Sequence, residues 1–312
     1  EADTNNLLQI LMTTNGAEDF VTALQETGLD KVVAGSDVYT VFVPPTGSFS
    51  GLTGNELHKL VSNHIVFDRY YLENLTDSLV LRSTSGKFFL VNQSDGNVYI
   101  NNRISQIALG GEIVDKEARN GVIHNVNKVI EVVPNIEEQF QLLDPVKYSI
   151  FLEYYNKFDS INLDLEAYKL GFNDEGGVIL STEPFWEFPS FNASDEEQGY
   201  SLLIPSNESI MNQREELLKL NGGKDSRISP LYYTRLIRNQ MLRGAFNEKT
   251  LFDADTIISE GENWVVGKKL NAANYSQPII CSNGYIFEAS DIIYKPIAVD
   301  FIDSIVYEAE WS

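Results

Sequence analysis

The chemistry open to this chain depends on a small set of reactive side chains. There are three histidines, His58, His64 and His124, and one cysteine, Cys281. The histidines lack the close spacing with acidic residues that catalytic zinc sites use. A single cysteine excludes an intrachain disulfide and a cysteine metal cluster. We therefore interpret Cys281 as a small buried hydrophobic residue at the end of a strand.

Other catalytic signatures are also missing from the sequence. It contains no G-x-S-x-G nucleophile motif, no glycine-rich phosphate loop and no 12-residue calcium loop. Acidic residues outnumber basic ones by 45 to 23, which gives a net charge of -22. Adjacent carboxylates such as Glu215-Glu216 therefore indicate a solvated surface. The charge also argues against nucleic acid and anionic membranes as partners. The sequence favours a non-enzymatic protein with no cofactor and no metal.

Three sequence elements each occur twice, in the same order. Residues 38–49 recur as 199–210, residues 57–66 as 233–242, and residues 120–129 as 283–292. The offsets of 161, 176 and 163 residues are nearly constant. This pattern predicts two copies of one fold, each long enough to have its own core. We place the junction near Asn135, with one domain at 1–134 and a divergent second domain at 135–312.

The middle element of each copy has the pattern of a helix. Thr53 and Glu56 form a capping box ahead of residues 57–66, where apolar side chains follow i, i+3, i+4, i+7 and i+8 spacing. In the second copy, Ser229-Pro230 supplies a helix start, and residues 233–242 repeat the spacing. Both segments are therefore predicted to be helical.

The rest of each copy reads mainly as strands. Residues 39–43 are a continuous apolar run that ends at Pro44-Pro45, which is typical of a buried strand. Residues 79–133 contain short apolar runs separated by turn residues such as Asp95-Gly96. Helices early and strands late in each copy predict an α+β fold.

The second copy carries extra sequence around residues 181–198 and in a tail at 297–312. The first of these segments contains the aromatic residues Phe185, Trp186, Phe188 and Phe191, interrupted by prolines. Such residues on a loop can form a contact patch for a partner or a sugar ring. They can equally fold back and cover the surface of their own domain.

The junction is predicted to be short. Residues 134–145 contain two prolines and no Gly/Ser run, so we expect a fairly stiff connection that gives the domains a fixed relative orientation. The apolar residues assigned to the patch between the domains are Ile136, Phe140, Leu142 and Leu143.

The repeated elements resemble those of the fasciclin domain family. Three segments of the first copy carry the resemblance: the strand and turn Thr40–Thr46, the Asn63-His64 pair, and the segment Asn120-Gly-Val-Ile-His124. The second copy departs from this pattern, with Gln240 in place of the first histidine and Phe287 in place of the second. The resemblance implies two tandem fasciclin-like domains, each a β-sandwich or wedge flanked by several helices.

The resemblance also implies a function. Fasciclin proteins are commonly extracellular or surface-anchored and act in adhesion or matrix contact, so Asn63 and His64 become candidate contacts for a surface protein or glycan. A structural interpretation stands beside this one, in which His64 is buried among apolar neighbours and satisfied by a backbone carbonyl. The same alternative applies to His124.

The sequence also leads to an expected localisation and to an alternative function. The chain begins at Glu1, and we expect a processed, exported protein, similar to a bacterial lipoprotein attached to the outer membrane by an N-terminal anchor outside this chain. The alternative function is a carbohydrate-binding accessory protein at a bacterial surface that uses the aromatic segment at 181–198.

Overall fold

The computed structural model describes residues 4–153, 155, 169–172, 178–181, 192–220, 223, 236–260, 264–265 and 267–293. The chain divides into two compact units, residues 1–134 and 135–312. Both units combine helices with sheets, so the predicted α+β class is confirmed.

The helices of the first unit precede most of its strands. They are α1 (Leu7–Met12), α2 (Glu18–Thr27), α3 (Asp30–Ala34), α4 (Gly54–Asn63) and a short 3-10 helix (Leu72–Asn74). The strands are β1 (Tyr39–Val43), β2 (Ile65–Phe67), β3 (Val80–Arg82), β4 (Phe88–Ser94), β5 (Asn97–Asn101), β6 (Gln106–Ala108), β7 (Lys116–Ala118) and β8 (Gly121–Asn125).

These strands form two four-stranded sheets. The inner sheet has the order β2-β1-β8-β7, with β1 and β8 parallel, and the outer sheet is the antiparallel meander β3-β4-β5-β6. Isolated bridges from Val66 to Ser83 and from Leu109 to Val126 join the two sheets. Two bridged sheets with helices at their side agree with the β-sandwich or wedge that the family resemblance implies.

The inner sheet is covered on both faces, which explains the continuous apolar run of β1. Val41 and Val43 pack with residues of α1 and α2, including Phe20, whereas Phe42 packs with residues of the outer sheet, including Phe89. All five residues of β1 are buried. Because neither face meets water, the strand has no need of polar alternation. Each fully buried side chain of this kind contributes about 1.5–3 kcal/mol.

The second unit contains corresponding elements. Its helices are α5 (Ile136–Phe140), α6 (Asn207–Leu220) and α7 (Glu248–Asp253), with residues 145–153 and 236–239 also helical. Its strands are β9 (Lys169–Phe172), β10 (Val178–Ser181), β11 (Tyr200–Pro205), β12 (Met241–Arg243), β13 (Ile257–Ile258), β14 (Trp264–Val265), β15 (Ile279–Cys281) and β16 (Gly284–Ala289).

The strand registers show that the second unit repeats the first. Its main sheet has the order β12-β11-β16-β15, with β11 and β16 parallel. The pairs Tyr39–Phe67 and Tyr39–Gly121 in the first unit correspond to Tyr200–Arg243 and Tyr200–Gly284 in the second. Equivalent residues in these pairs are 161, 176 and 163 positions apart, which are the offsets of the three repeated sequence elements. The predicted equivalence of the repeated strands is therefore confirmed.

The predicted helix over 57–66 is too long at its C-terminal end. Helix α4 ends at Asn63, His64 is its C-cap, and β2 begins at Ile65. The chain leaves the helix because the Phe42 amide donates to the His64 carbonyl at 2.9 Å, which starts the pairing of β2 with β1. In the second copy the strand likewise begins at Met241, directly after Gln240, and residues 233–235 lie outside the described residues.

Residues near the junction pack inside the second unit. Ile136, Phe140 and Leu143 belong to its core, together with Tyr148 and Phe151. This packing accounts for the burial of three residues that the sequence interpretation assigned to a patch between the domains. The fourth, Leu142, is 67% exposed.

The aromatic residues Phe185, Trp186, Phe188 and Phe191 and the tail at 297–312 lie outside the described residues. Within the parts of the chain that are described, no helix is long and apolar enough to cross a membrane.

Candidate functional site

His64 connects three segments of the first unit. Its side chain is fully buried, with Nδ1 2.8 Å from the Phe42 carbonyl oxygen and Nε2 3.0 Å from the Ile130 amide nitrogen. Because the carbonyl can only accept and the amide can only donate, Nδ1 carries the proton and the ring is neutral. Burial lowers the pKa of His64 to about 4, although the bond to Phe42 opposes this shift. The ring therefore ties the end of α4 to β1 and to the segment after β8.

Asn63 makes a second set of bonds to the same segment. Its Nδ2 donates to the carbonyl oxygens of Ile130 and Glu131 at 2.9 and 3.1 Å, and its Oδ1 accepts from the Ser85 hydroxyl at 2.7 Å. Asn63 is also fully buried. Asn102 adds a bond of 3.0 Å to the Glu131 carbonyl, so this segment is held from two sides.

These contacts match the structural interpretation of His64. A buried histidine satisfied by a backbone carbonyl was expected from its apolar neighbours, and the structure confirms it. Neither Asn63 nor His64 has exposed surface. Direct contact of either side chain with a partner, as the family resemblance suggested, would require this part of the domain to open.

Gln240 holds the corresponding segment of the second unit. Its Oε1 accepts from the Ile293 amide at 3.1 Å, and its Nε2 donates to the carbonyl oxygens of Ile293 at 2.8 Å and Leu236 at 3.2 Å. Ile130 and Ile293 are separated by the same 163 residues as the repeated third element. A glutamine can replace the histidine because it also offers one acceptor and a donor.

His124 is a structural residue as well. Its Nε2 lies 2.8 Å from the Tyr70 carbonyl oxygen, and its Nδ1 accepts from the Asp115 amide at 3.3 Å. Burial lowers the pKa of His124, while the Tyr70 bond and the Asp115 carboxylate oppose the shift. The equivalent Phe287 fills an apolar cluster with Leu203 and other residues.

The Asn-Gly motif before β8 and before β16 has a bracing role that the sequence did not reveal. Asn120 Nδ2 donates to the carbonyl oxygens of Val33 and Gly35 at 2.9 and 3.0 Å, and its Oδ1 accepts from the Leu7 amide at 2.8 Å. A Cβ atom on Gly121 would overlap the Tyr39 carbonyl oxygen. The motif thus holds α1, α3 and β1 together.

Asn283 repeats these bonds in the second unit. It donates to the carbonyl oxygens of Ala193 and Asp195 at 2.8 and 2.9 Å and accepts from the Ile136 amide at 2.9 Å. Gly284, like Gly121, has no room for a Cβ atom.

The comparisons with known proteins agree with this architecture for the first unit. The Fasciclin domain family model matches residues 15–132.

The first unit is a fasciclin domain.

Two similar proteins put this domain in context. The chain is 26% identical to transforming growth factor-beta-induced protein ig-h3 of Sus scrofa over 133 residues, which are 41% of this chain and 20% of that relative. The match therefore spans about a fifth of the relative. Among solved structures, a FAS1 domain pair from the insect cell adhesion molecule fasciclin I is 13% identical, covering 90% of this chain and 97% of that chain with a TM-score of 0.34. The second unit resembles the first in its strand registers and in the bonds made by Gln240 and Asn283.

The fasciclin domain also turns an apolar patch towards solvent. Phe67, Val80 and Leu90 are 41%, 53% and 39% exposed, and Val80 and Leu90 are direct partners in the outer sheet. Arg82 lies beside them, between the rings of Phe67 and Phe88. We call these five residues the Arg82 face.

The sequence interpretation missed the Arg82 face because it predicted residues 79–133 only as short apolar strands and did not assign their side chains to a buried or an exposed side. Side chains alternate between the two sides of a strand, so residues 80 and 82, and likewise 88 and 90, lie on one side of the sheet. This alternation is the feature of the sequence from which the Arg82 face could have been predicted. Among the described residues, no group of three or more His, Cys, Asp or Glu side chains could hold a metal ion.

Proposed function

We propose that this protein is a non-enzymatic binding protein that acts in adhesion or matrix contact, outside the cell or on its surface. The fasciclin domain at residues 15–132 supports this proposal, since the family is often associated with adhesion. The observation that carries it is the exposed combination of Phe67, Arg82 and Leu90 on that domain. Aromatic residues and arginine are enriched in protein interfaces relative to the rest of the surface.

The bonds of the two buried histidines, His64 and His124, favour binding over catalysis. Both ring nitrogens of His64 and of His124 are engaged with backbone groups. A general base needs a nitrogen that can reach a substrate proton, and these four nitrogens are committed to holding the fold. The proposed partner is a surface protein or glycan, and the proposed attachment to a membrane is a lipid anchor upstream of this chain.

Cell attachment tests the proposal. Surfaces coated with the full chain should retain cells of the organism that makes it, in proportion to coating density, and soluble chain should compete. Surfaces coated with albumin or with heat-unfolded chain are the controls. Retention no greater than on albumin, or the discovery of substrate turnover in hydrolase screens, would contradict the proposal.

A further inference from the structure

We infer that the Arg82 face docks a partner protein that presents a carboxylate beside apolar side chains, with the Arg82 guanidinium binding the carboxylate. This inference rests on the proposed binding function and specifies its site and the chemistry of its partner.

Three neighbouring strands build the site. The bridge between Val66 and Ser83 places β2 beside β3, and Arg82 pairs with Phe88 of β4 in register. Phe67, Arg82 and Phe88 therefore lie in one row across the sheet. The Arg82 guanidinium carbon is 6.0 Å from the Phe67 ring centroid and 5.7 Å from the Phe88 centroid. Cation–π attraction of this kind holds the charged group over the sheet.

The rings of Phe67 and Phe88 hold the Arg82 guanidinium in place, but its N–H donors have no hydrogen-bond partner among the described residues. Arg82 is exposed, and it makes no hydrogen bond or ion pair with any part of the chain that the structure describes. A guanidinium has five N–H donors in a planar fork that matches the two oxygens of a carboxylate. Because the rings already restrict the side chain, binding costs less conformational entropy than it would for a free arginine.

The neighbouring residues favour a protein over other anionic ligands. Val80 and Leu90 form the next row and are both well exposed. A sugar or a small anion would leave these aliphatic side chains uncovered, whereas the core of a protein interface buries apolar groups around arginine and aromatic anchors. The net charge of -22 repels anionic membranes and strongly acidic proteins. The partner's carboxylate is therefore expected on a surface that is otherwise neutral or basic.

The described residues at the corresponding positions of the second unit do not repeat this arrangement. Its bridge between Leu242 and Ser259 corresponds to Val66–Ser83, so Ile258 takes the place of Arg82 and Arg243 that of Phe67. Arg243 is bonded to the Glu260 carboxylate at 3.1 and 3.2 Å. The second unit thus satisfies its arginine internally, and the docking site belongs to the fasciclin domain.

Peptide selection tests this site on the full chain. Phage-displayed random linear peptides are selected on the wild-type protein, and the affinities of the recovered peptides are measured by calorimetry. We expect peptides with Asp or Glu beside apolar residues. R82Q should raise their Kd by about tenfold or more, which is about 1.4 kcal/mol, and L90S should also raise it. K116Q and I280S remove an exposed charge and an exposed strand side chain elsewhere, and should change Kd by less than about twofold.

A double-mutant cycle identifies the bonded pair. Converting the peptide acid to its amide should weaken binding to the wild type but have little further effect on R82Q. Peptides without an acid, or affinities unchanged by R82Q when its melting temperature is unchanged, would overturn the inference. Arg82-dependent binding to a glycan array alone, or Leu90-dependent dimerisation alone, would reassign the face to a sugar or to a second copy.

The two proposals fail separately. Arg82-dependent peptide binding without cell attachment would leave the docking site standing and remove the adhesive function. Cell attachment unaffected by R82Q and L90S, without Arg82-dependent peptides, would preserve adhesion and remove the docking site.

Discussion

His64 and Gln240 occupy the same position in two copies of one fold. Each accepts a hydrogen bond from the backbone amide of an isoleucine that follows β8 or β16, Ile130 or Ile293. The carbonyl of each also accepts from the central strand, at 2.9 Å in both units. Two different side chains therefore hold the same segment of the fold. The His64 ring also bonds to the Phe42 carbonyl, whereas the Gln240 amide bonds to the Leu236 carbonyl. This partial equivalence can be tested by substitution.

Replacing His64 should destabilise the fasciclin domain. His64→Ala leaves the Phe42 carbonyl and the Ile130 amide unpaired in the core, so we expect a loss of about 1–3 kcal/mol in the free energy of unfolding. His64→Gln should lose less, because Gln240 shows that a glutamine can bond to this segment. Urea unfolding measures both, with exposed His58→Ala as the control. Equal losses for His64→Ala and His58→Ala would refute the structural role.

The stability of the fasciclin domain should depend on pH through His64. Its pKa is about 4 in the folded state and about 6.5 when unfolded. The unfolded chain therefore binds more protons between these values, and folding stability is complete above about pH 6.5 and falls as the pH drops towards 4. His124, whose pKa is also lowered, acts in the same direction.

Unfolding midpoints between pH 7 and pH 5 test this dependence, since most carboxylates remain ionised across that range. The loss of stability on acidification should be smaller in His64→Gln than in the wild type. Parallel curves for the two proteins would show that His64 does not titrate as the structure implies.

Asn120 and Asn283 should each brace their own unit. Asn120→Asp keeps the size of the side chain but removes the donors to the Val33 and Gly35 carbonyls, and we expect a loss of about 1–3 kcal/mol or more. Hydrogen exchange should accelerate in α1 and α3 but not at residues 136–140. Asn283→Asp should produce the opposite pattern. Faster exchange in both units from either substitution would contradict the independent bracing.

The sequence predicted much of this architecture because repeats and strand runs are local signals. The apolar run around Thr40 predicted a buried strand, and the repeated elements showed which residues of the two copies are equivalent. The end of α4 did not, because Ile65 continues the helical spacing and leaves it only when the His64 carbonyl bonds to the Phe42 amide. The periodicity of apolar residues in a sequence does not reveal long-range hydrogen bonds of this kind.

The candidate site was harder to predict for the same reason. Asn63 and His64 could be read as contacts or as core, and only the partners of their polar atoms decide between these interpretations. The exposure of Leu90 depends on which side of the outer sheet faces the inner one. A strand run fixes the alternation of its side chains but not which face is buried.

Cys281 provides a last test of the repeated fold. It is fully buried, and it corresponds to Ala118 because each residue pairs with the first glycine of β16 or β8, Gly284 or Gly121. This agrees with the predicted small hydrophobic residue at a strand end. Cys281→Ala should therefore cost only about 1 kcal/mol in the free energy of unfolding.

In the wild type, the Cys281 thiol should react slowly with a disulfide reagent, at a rate set by opening of the second unit. Asn283→Asp should accelerate the reaction and Asn120→Asp should not. A thiol that reacts in native buffer as fast as free cysteine would show that β15 is open and that the equivalence with β7 is wrong.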